Sequence, residues 1–493
     1  MNTQLTRVAW VAMALIVTLV VATTYWQTWA RPGLAARQDN EIQRVAEFEV
    51  RRGLILAPTR VVARNVPRRA RGGRTLYFRR YPQGKLAAHI VGYSTVARSR
   101  AGLEKSLNGV LTGTERGLDD LVRQSLDELK GEPIVGDTVV TTLDLQAQKI
   151  AFEQLGSRCG AVVALDPRSG KLLVMASAPS YNPNLVEKRF GEIDRIRADC
   201  RPAAPLVNRA TQGLYAPGST FKVVTAAAAL DSGRFEPDST FVDPGYCIVY
   251  GKRVNNFDTS SPFGSVTLAT SLQYSVNSTF CEIGKRLGAK RILEQAQKFG
   301  FYQRPPLETP DGERRPSGLY RNGEPWSPER NREVDAGRMA FGQERMLVTP
   351  MQMAMVAGGI GNAGIVMRPW VVEKLVSPEG TTVERTERKR LARAASPTTA
   401  RDVGAMMVRA VEAGTGTAAR IPGYRIGGKT GTAETGVQGS NTTWFIAFAG
   451  RPGQRPSVAI AVALEGQRST GGQTAAPIAR TVMEALLGRT ANP

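Results

Sequence analysis

Pro217-Gly218-Ser219-Thr220-Phe221-Lys222 is the stretch from which the rest of this 493-residue chain is read. It sets a serine three residues before a lysine at the start of an apolar run, Phe221 to Asp231, that reads as a helix. That spacing puts both side chains on one helical face. A neutral lysine amine so placed can take the hydroxyl proton as the serine attacks a carbonyl. The helix N-terminus aims backbone N–H groups at the oxyanion that then forms. Alone the pair is weak, because a chain this long carries one S-x-x-K by chance about once. An N-cap serine followed by a surface lysine is the plainer reading of a lone match.

Two further stretches change that weighting. Ser275-Val276-Asn277 interrupts Leu268 to Leu287, a segment that otherwise reads as one apolar helix, and such breaks are expected where function overrides foldability. Gly428-Lys429-Thr430-Gly431-Thr432-Ala433-Glu434 offers a cation and a hydroxyl among residues small enough for a ligand to approach a strand edge. A glycine-rich turn is its plainer reading. Gly423-x-x-x-x-Gly428-Lys429-Thr430 also matches a phosphate-binding loop formally. Such a loop follows a strand and opens a helix. Here Pro422 precedes it and Gly431-Thr432-Ala433 begins no apolar helical period, so nucleotide binding is set aside.

Around these motifs the patterning is mixed. Asp137 to Leu143 reads as a strand and Leu145 to Leu155 as a helix. Gly160 to Asp166 and Lys171 to Ala176 form an expected hairpin about Pro167-Arg168-Ser169-Gly170. A helix is expected at Pro350 to Gly358, strands at Trp444 to Gly450 and Ser457 to Leu464, and a last helix at Pro477 to Leu487. Residues 381–399 are polar and charge-rich and read as a surface excursion. Strands, helices, strands and a closing helix give an α+β fold class.

Composition narrows the chemistry. Hydrophobic residues make up 42% and charged residues 22%, so a packed core is expected rather than disorder. The only histidine is His89, which argues against a zinc enzyme or a Ser-His-Asp hydrolase, since both need imidazole. Val8 to Ala22 carries no charge, and the uncharged stretch runs on past Tyr25, Trp26 and Trp29 to Ala30. This is long enough to span a bilayer, with aromatic residues where an interface would lie. A cleaved signal peptide is the alternative, although Leu34-Ala35-Ala36 is a poor cleavage site. Either way the remaining residues are expected outside the cytoplasm. Cys159, Cys200, Cys247 and Cys281 show no C-x-x-C spacing. Two structural disulfides suit that compartment, but three pairings are open and free buried thiols are the plain alternative. From Arg51 to Arg80 there are ten arginines and no acidic residue, within a net charge of +22. Beside an anchor this reads as a basic face toward anionic lipid or wall polymer, or as a composition effect, and not as a nucleic-acid site.

Taken in order, S-x-x-K, S-x-N and K-T-G are the signature of active-site serine penicillin-recognising enzymes, and the chain resembles the class B penicillin-binding proteins of the penicillin-binding protein A type. The resemblance extends to Arg52-Gly53-Leu54-Ile55, Arg80-Tyr81-Pro82, Ala88-His89-Ile90-Val91-Gly92-Tyr93 and Gly102-Leu103-Glu104 in the first half. It continues through Gly160 to Asn184, Phe341-Gly342-Gln343 with Thr349-Pro350, and Gly472-Gln473-Thr474-Ala475-Ala476-Pro477. The chain departs from longer members in its short pedestal, where Leu56-Ala57 stand in place of an Asp-Arg pair.

The resemblance implies a transmembrane anchor within residues 1–30, a small β-rich pedestal or dimerisation-like module over 31–140, and a transpeptidase domain over 141–493 whose antiparallel sheet is sandwiched by helices. It implies a D,D-transpeptidase with Ser219 as acylated nucleophile and Lys222 as its base. Ser275 would relay a proton to the leaving amine and Asn277 would hold the substrate amide. Lys429 and Thr430, with Gly431 and Thr432, would bind the substrate, and the Ser219 and Thr432 N–H groups would form the oxyanion hole. No metal or cofactor is implied. Implied partners are peptidoglycan stem peptides, β-lactams and a SEDS glycan polymerase of the RodA/FtsW type, since no glycan-polymerising domain is seen. The competing expectations are a serine β-lactamase or D,D-carboxypeptidase, and a penicillin sensor or non-catalytic scaffold.

Overall fold

The structure, a computed structural model, describes residues 2–26, 47–58, 60–70, 73–114, 134–256, 261–329, 333–437 and 439–489. The expected end of the anchor at Trp29 and Ala30, the signal-peptide site at Leu34 to Ala36, the first part of the pedestal, and Arg71-Gly72 lie outside these residues. Asn2–Tyr25 forms helix α1. Its Thr6–Tyr25 portion is 20 residues long with mean hydropathy 2.1 and is exposed along its length. At 1.5 Å per residue it makes an apolar cylinder of about 30 Å, long and apolar enough to cross a membrane.

The pedestal is built on β1 (Ile55–Ala57), β2 (Arg60–Arg69), β3 (Thr75–Arg80) and β4 (Thr138–Thr141). Three of the short stretches that carried the family resemblance meet at its centre. The carboxylate of Glu104, fully buried, accepts from Arg79 Nε at 2.6 Å and from Arg52 NH2 at 3.0 Å, with Tyr81 OH at 3.3 Å. Two guanidinium groups around one anion satisfy it in a place where an unpaired charge would not be tolerated. Gly53 is required beside this cluster, because a Cβ there would lie 1.8 Å from the Asp137 carbonyl oxygen.

Helix α2 (Leu145–Leu155) leads into the second module, whose sheet begins with β5 (Gly160–Leu165) and β6 (Leu172–Ala178). Next come α3 (Lys222–Asp231), β7 (Thr240–Asp243), β8 (Gly264–Thr267), α4 (Leu268–Tyr274), α5 (Asn277–Leu287) and α6 (Pro350–Gly361). Strands β9 (Val372–Val376) and β10 (Thr382–Arg385) precede β11 (Arg425–Glu434), β12 (Asn441–Gly450) and β13 (Val458–Gln467), and α7 (Gly471–Arg489) closes the described chain. The five-stranded sheet has the order β11-β12-β13-β5-β6 and is antiparallel throughout. Its period-2 alternation feeds two cores. Val163, Ile446, Phe448 and Ala461 face α6, whereas Val162, Phe445, Ala447 and Val462 face α2 and α7. With both faces covered, β5 and the central parts of β12 and β13 read as unbroken apolar runs.

Three expectations are corrected. Leu268 to Leu287 is two helices, because Ser275 adopts a left-handed conformation (φ 65°) that ends α4 before Val276 turns the chain into α5. The last helix starts at Gly471 rather than Pro477; a Cβ at Gly471 would meet the Trp444 and Gly431 carbonyl oxygens at 2.2 and 2.4 Å, so the helix can nest against β11 and β12 only through glycine. The polar stretch 381–399 is exposed in its first part but contains β10, which pairs with β9, and ends in the buried residues Ala394, Ala395 and Thr399. Both strands join the pedestal sheet, in the order β10-β9-β4-β1-β2-β3, so that sheet is completed by residues far beyond 140.

Both disulfides form, Cys159–Cys200 and Cys247–Cys281, with Cα separations of 5.8 and 6.4 Å. His89 is buried, its Nε2 2.9 Å from the Pro205 carbonyl oxygen, and burial lowers its pKa to about 4. It is a neutral packing residue at the join between the modules, where Asn208 Nδ2 donates to its carbonyl at 3.3 Å.

The Glu104 cluster gives a stability prediction. Burial alone would raise the Glu104 pKa, but Arg79 and Arg52 outweigh it and hold the group below its unfolded value of 4.5. Its stabilising contribution is therefore present above that value and lost as pH falls through the lower folded value. Glu104→Ala, which strands two buried guanidinium groups, is expected to cost about 3–5 kcal/mol, seen as a lowered unfolding temperature of the detergent-solubilised chain at neutral pH. The gap between wild type and variant should close in acid.

Candidate active site

The nucleophile turn is a single 3-10 turn, Gly218–Phe221, continuous with α3. Gly218 has φ +51° and its N–H donates to the Gly342 carbonyl at 3.0 Å, which ties Phe341-Gly342-Gln343 to the turn. Thr225 Oγ1 donates to the Ala340 carbonyl at 2.7 Å one turn further on. Phe221 and Thr220 point into the core, so the same face that buries the helix leaves Ser219 half-buried and turned to the cleft. Among the described residues its hydroxyl has no hydrogen-bond partner.

The break at Ser275 is what brings the second motif to the first. Lys222, fully buried, directs Nζ at the Ser275 carbonyl (2.6 Å), Asn277 Oδ1 (2.8 Å) and Ser275 Oγ (3.2 Å). Lys429, also fully buried, donates to Ser275 Oγ at 2.9 Å and to the Thr430 carbonyl at 3.0 Å. Two lysines therefore converge on one hydroxyl with no carboxylate within ion-pair distance among the described residues. Burial, with the Lys429 charge adding to it, holds the Lys222 amine well below the ordinary lysine range. Burial pushes Lys429 down to about 7. Neutral Lys222 has two N–H donors, which suit the Ser275 carbonyl and Asn277 Oδ1, and a lone pair left to accept a hydroxyl proton.

The loop is held from behind by Asp243, a residue the sequence reading did not single out. Its Oδ1 accepts from Ser278 Oγ (2.5 Å), Asn256 Nδ2 (2.8 Å) and Gly245 N (2.9 Å), and its Oδ2 from Phe263 N (3.0 Å). Burial would raise this carboxyl, but those hydrogen bonds keep it below the usual range. Asn256 Oδ1 in turn accepts from Asn277 N (2.9 Å) and Ser278 N (3.1 Å), capping α5. The Cys247–Cys281 bond clamps the hairpin after β7 to the same helix.

Gly428-Lys429-Thr430 lies within β11, not in a loop before a helix, which agrees with the rejection of nucleotide binding. β11 is the edge strand of the five-stranded sheet, so its free side faces the nucleophile turn. The approach is close: a Cβ on Gly431 would stand 2.9 Å from the Pro217 carbonyl, and one on Gly218 3.0 Å from the Thr432 carbonyl. Small residues are thus required on both sides, and the Thr432 backbone runs beside Ser219. Thr430 Oγ1 is 2.7 Å from the Thr415 hydroxyl, a second residue the sequence did not reveal. Hydrogen bonds and close backbone approach thus bring together the three stretches that hold the eight expected positions, Ser219, Lys222, Ser275, Asn277, Lys429, Thr430, Gly431 and Thr432.

The chain matches known proteins along nearly its whole length. Residues 160–484 match the penicillin binding protein transpeptidase domain, and residues 52–139 match the penicillin binding protein A dimerisation domain. The chain is 36% identical to the peptidoglycan D,D-transpeptidase PbpA of Mycolicibacterium smegmatis and 34% identical to that of Mycobacterium tuberculosis, in each case over 99% of both chains. Among solved structures it resembles the ceftriaxone acyl-enzyme of M. tuberculosis penicillin-binding protein A (TM-score 0.79, 32% identity, 90% of this chain and 99% of that one). It also resembles a D,D-transpeptidase domain from Eggerthella lenta (TM-score 0.75, 31% identity, 90% and 99%).

Proposed function

The chain belongs to the penicillin-binding protein transpeptidases, with a penicillin-binding protein A dimerisation domain ahead of the catalytic one, and from that membership we propose how its own residues divide the work. It is a serine-type peptidoglycan D,D-transpeptidase, which cross-links stem peptides through an acyl-enzyme and is acylated by β-lactams. The observation that carries the assignment of roles is the convergence of Lys222 and Lys429 on the Ser275 hydroxyl.

Neutral Lys222 takes the Ser219 proton as Oγ attacks the carbonyl of the penultimate residue of the donor stem. Negative charge develops on that carbonyl oxygen and is met by the Ser219 and Thr432 N–H groups. As the C–N bond breaks, the proton passes from Lys222 through Ser275 to the departing D-alanine amine. Ser275 suits a relay because it contacts Lys222 on one side and Lys429 on the other. Asn277 fixes Lys222 and the substrate amide. Cationic Lys429 and Thr430 hold the terminal carboxylate, with Thr415 setting the Thr430 hydroxyl. An amine from a neighbouring stem then attacks the ester, returning Ser219 and leaving the cross-link. Every step is proton transfer and carbonyl addition, for which these residues suffice. The apolar helix α1 is read as a retained single-pass anchor with the catalytic domain outside the cytoplasm, and glycan polymerisation is assigned to a SEDS partner of the RodA/FtsW type.

Intact-protein mass spectrometry after benzylpenicillin treatment is expected to show one long-lived adduct on the wild type and none on Ser219→Ala. An adduct that persists on Ser219→Ala would move the nucleophile elsewhere; rapid drug turnover would indicate a β-lactamase. The pH dependence of second-order acylation should be bell-shaped. It rises in acid as Lys222 loses its proton and falls above about 7 as Lys429 loses its charge. A β-lactam ester without the free carboxylate should lack the falling limb.

A further inference from the structure

Beside the S-x-N loop the protein leaves two large aromatic side chains in solvent. Phe263 is 45% exposed and Tyr274 42%, and their rings meet at 5.4 Å between centroids, tilted by 37°. Their placement is built in. Phe263 precedes β8, and Gly264 after it takes φ +69°, a turn that sets it just ahead of the strand whose Val266 points to the core. Its N–H is held by the Asp243 carboxylate that also fixes Asn256 and Ser278. Tyr274 is the last residue of α4, bonded directly to Ser275, and its direction follows from the left-handed turn there. One buried carboxylate and one backbone turn thus fix the aromatic pair and the catalytic loop as a unit. An exposed aromatic pair costs solvation and is informative when it borders a site.

The geometry points to Phe263 and Tyr274 as the subsite for the acceptor stem peptide, an inference that rests on the transpeptidase reading above. On that reading Lys429 and Thr430, on β11, hold the donor's terminal carboxylate, and Lys429 also reaches Ser275 Oγ. The aromatic pair lies on the α4 and β8 side of Ser275, joined to it through Tyr274. The second substrate must bring an amine to the Ser219 ester on an aliphatic arm, and an apolar ledge next to Ser275 takes such an arm while excluding water. The residues make and break no bond; they raise the local presence of the amine over that of water at the acyl ester.

The test uses the full-length protein in detergent, with a small thioester donor, and measures how one acyl-enzyme partitions between an acceptor and water. Two acceptors are compared: a stem tetrapeptide carrying a diamino acid, and hydroxylamine, which has no arm to bind. In Phe263→Ala and Tyr274→Ala the transfer-to-hydrolysis ratio with the tetrapeptide should fall about tenfold, and that with hydroxylamine should move by less than about twofold. Equal falls with both acceptors would show a general disturbance of the loop and overturn the subsite, as would ratios that stay at the wild-type value. Phe263→Leu and Tyr274→Leu, which keep bulk and lose the aromatic face, serve if an alanine variant does not fold. A wild-type protein that forms no acyl-enzyme would instead count against the transpeptidase reading itself.

Discussion

Two lysine side chains share one water-poor space and point at one hydroxyl, and this constraint organises the catalytic half of the molecule. Two ammonium groups there would repel each other and forgo hydration with no anion to compensate. Burial and the neighbouring Lys429 charge hold the Lys222 pKa well below the ordinary lysine range, and the Ser275 carbonyl and Asn277 Oδ1 take up donors from its amine. The state that burial forces on Lys222 is the state a general base needs. The second lysine keeps a pKa near neutrality and so holds a charge that a carboxylate ligand can stabilise further.

Everything that positions these amines is held from outside the catalytic set. Asp243 and Asn256 hold the S-x-N loop, the Cys247–Cys281 bond ties the hairpin after β7 to α5, and Gly342 fixes the Ser219 turn through its carbonyl. The K-T-G strand is placed by its pairing in a sheet buried on both faces, so Lys429 is as rigid as the core behind it. The pedestal repeats the logic with opposite charges: one anion, Glu104, organises two arginines drawn from distant parts of the chain.

Much of this was legible in the sequence, for a physical reason. Side-chain spacing on a helix makes S-x-x-K visible, and apolar runs betray strands covered on both faces, such as Gly160 to Asp166. The candidate site positions could be proposed because they lie in three short stretches. What stayed hidden depends on contacts between distant residues. Asp243 ends β7 and Asn256 follows a short polar hairpin, positions where such residues are common, and only the fold shows four donors closing on one carboxylate. Thr415 acquires meaning only opposite Thr430. The break at Ser275 has no proline or glycine to mark it; capping by Asn256 and the pull of two lysines hold the left-handed turn. Strand β10 was masked by its charge, since it pairs at a sheet edge with both faces in water.

The claim on which the account stands is the protonation state of Lys222. It can be observed directly by following the lysine Cε and Nζ resonances of selectively labelled protein across pH, with Lys222 and Lys429 assigned by single substitution. Lys222 is expected to show the shifts of a neutral amine at neutral pH, while Lys429 changes state near about 7. An ammonium at Lys222 that persists into the ordinary lysine range would contradict the account, because no base would then be available to Ser219.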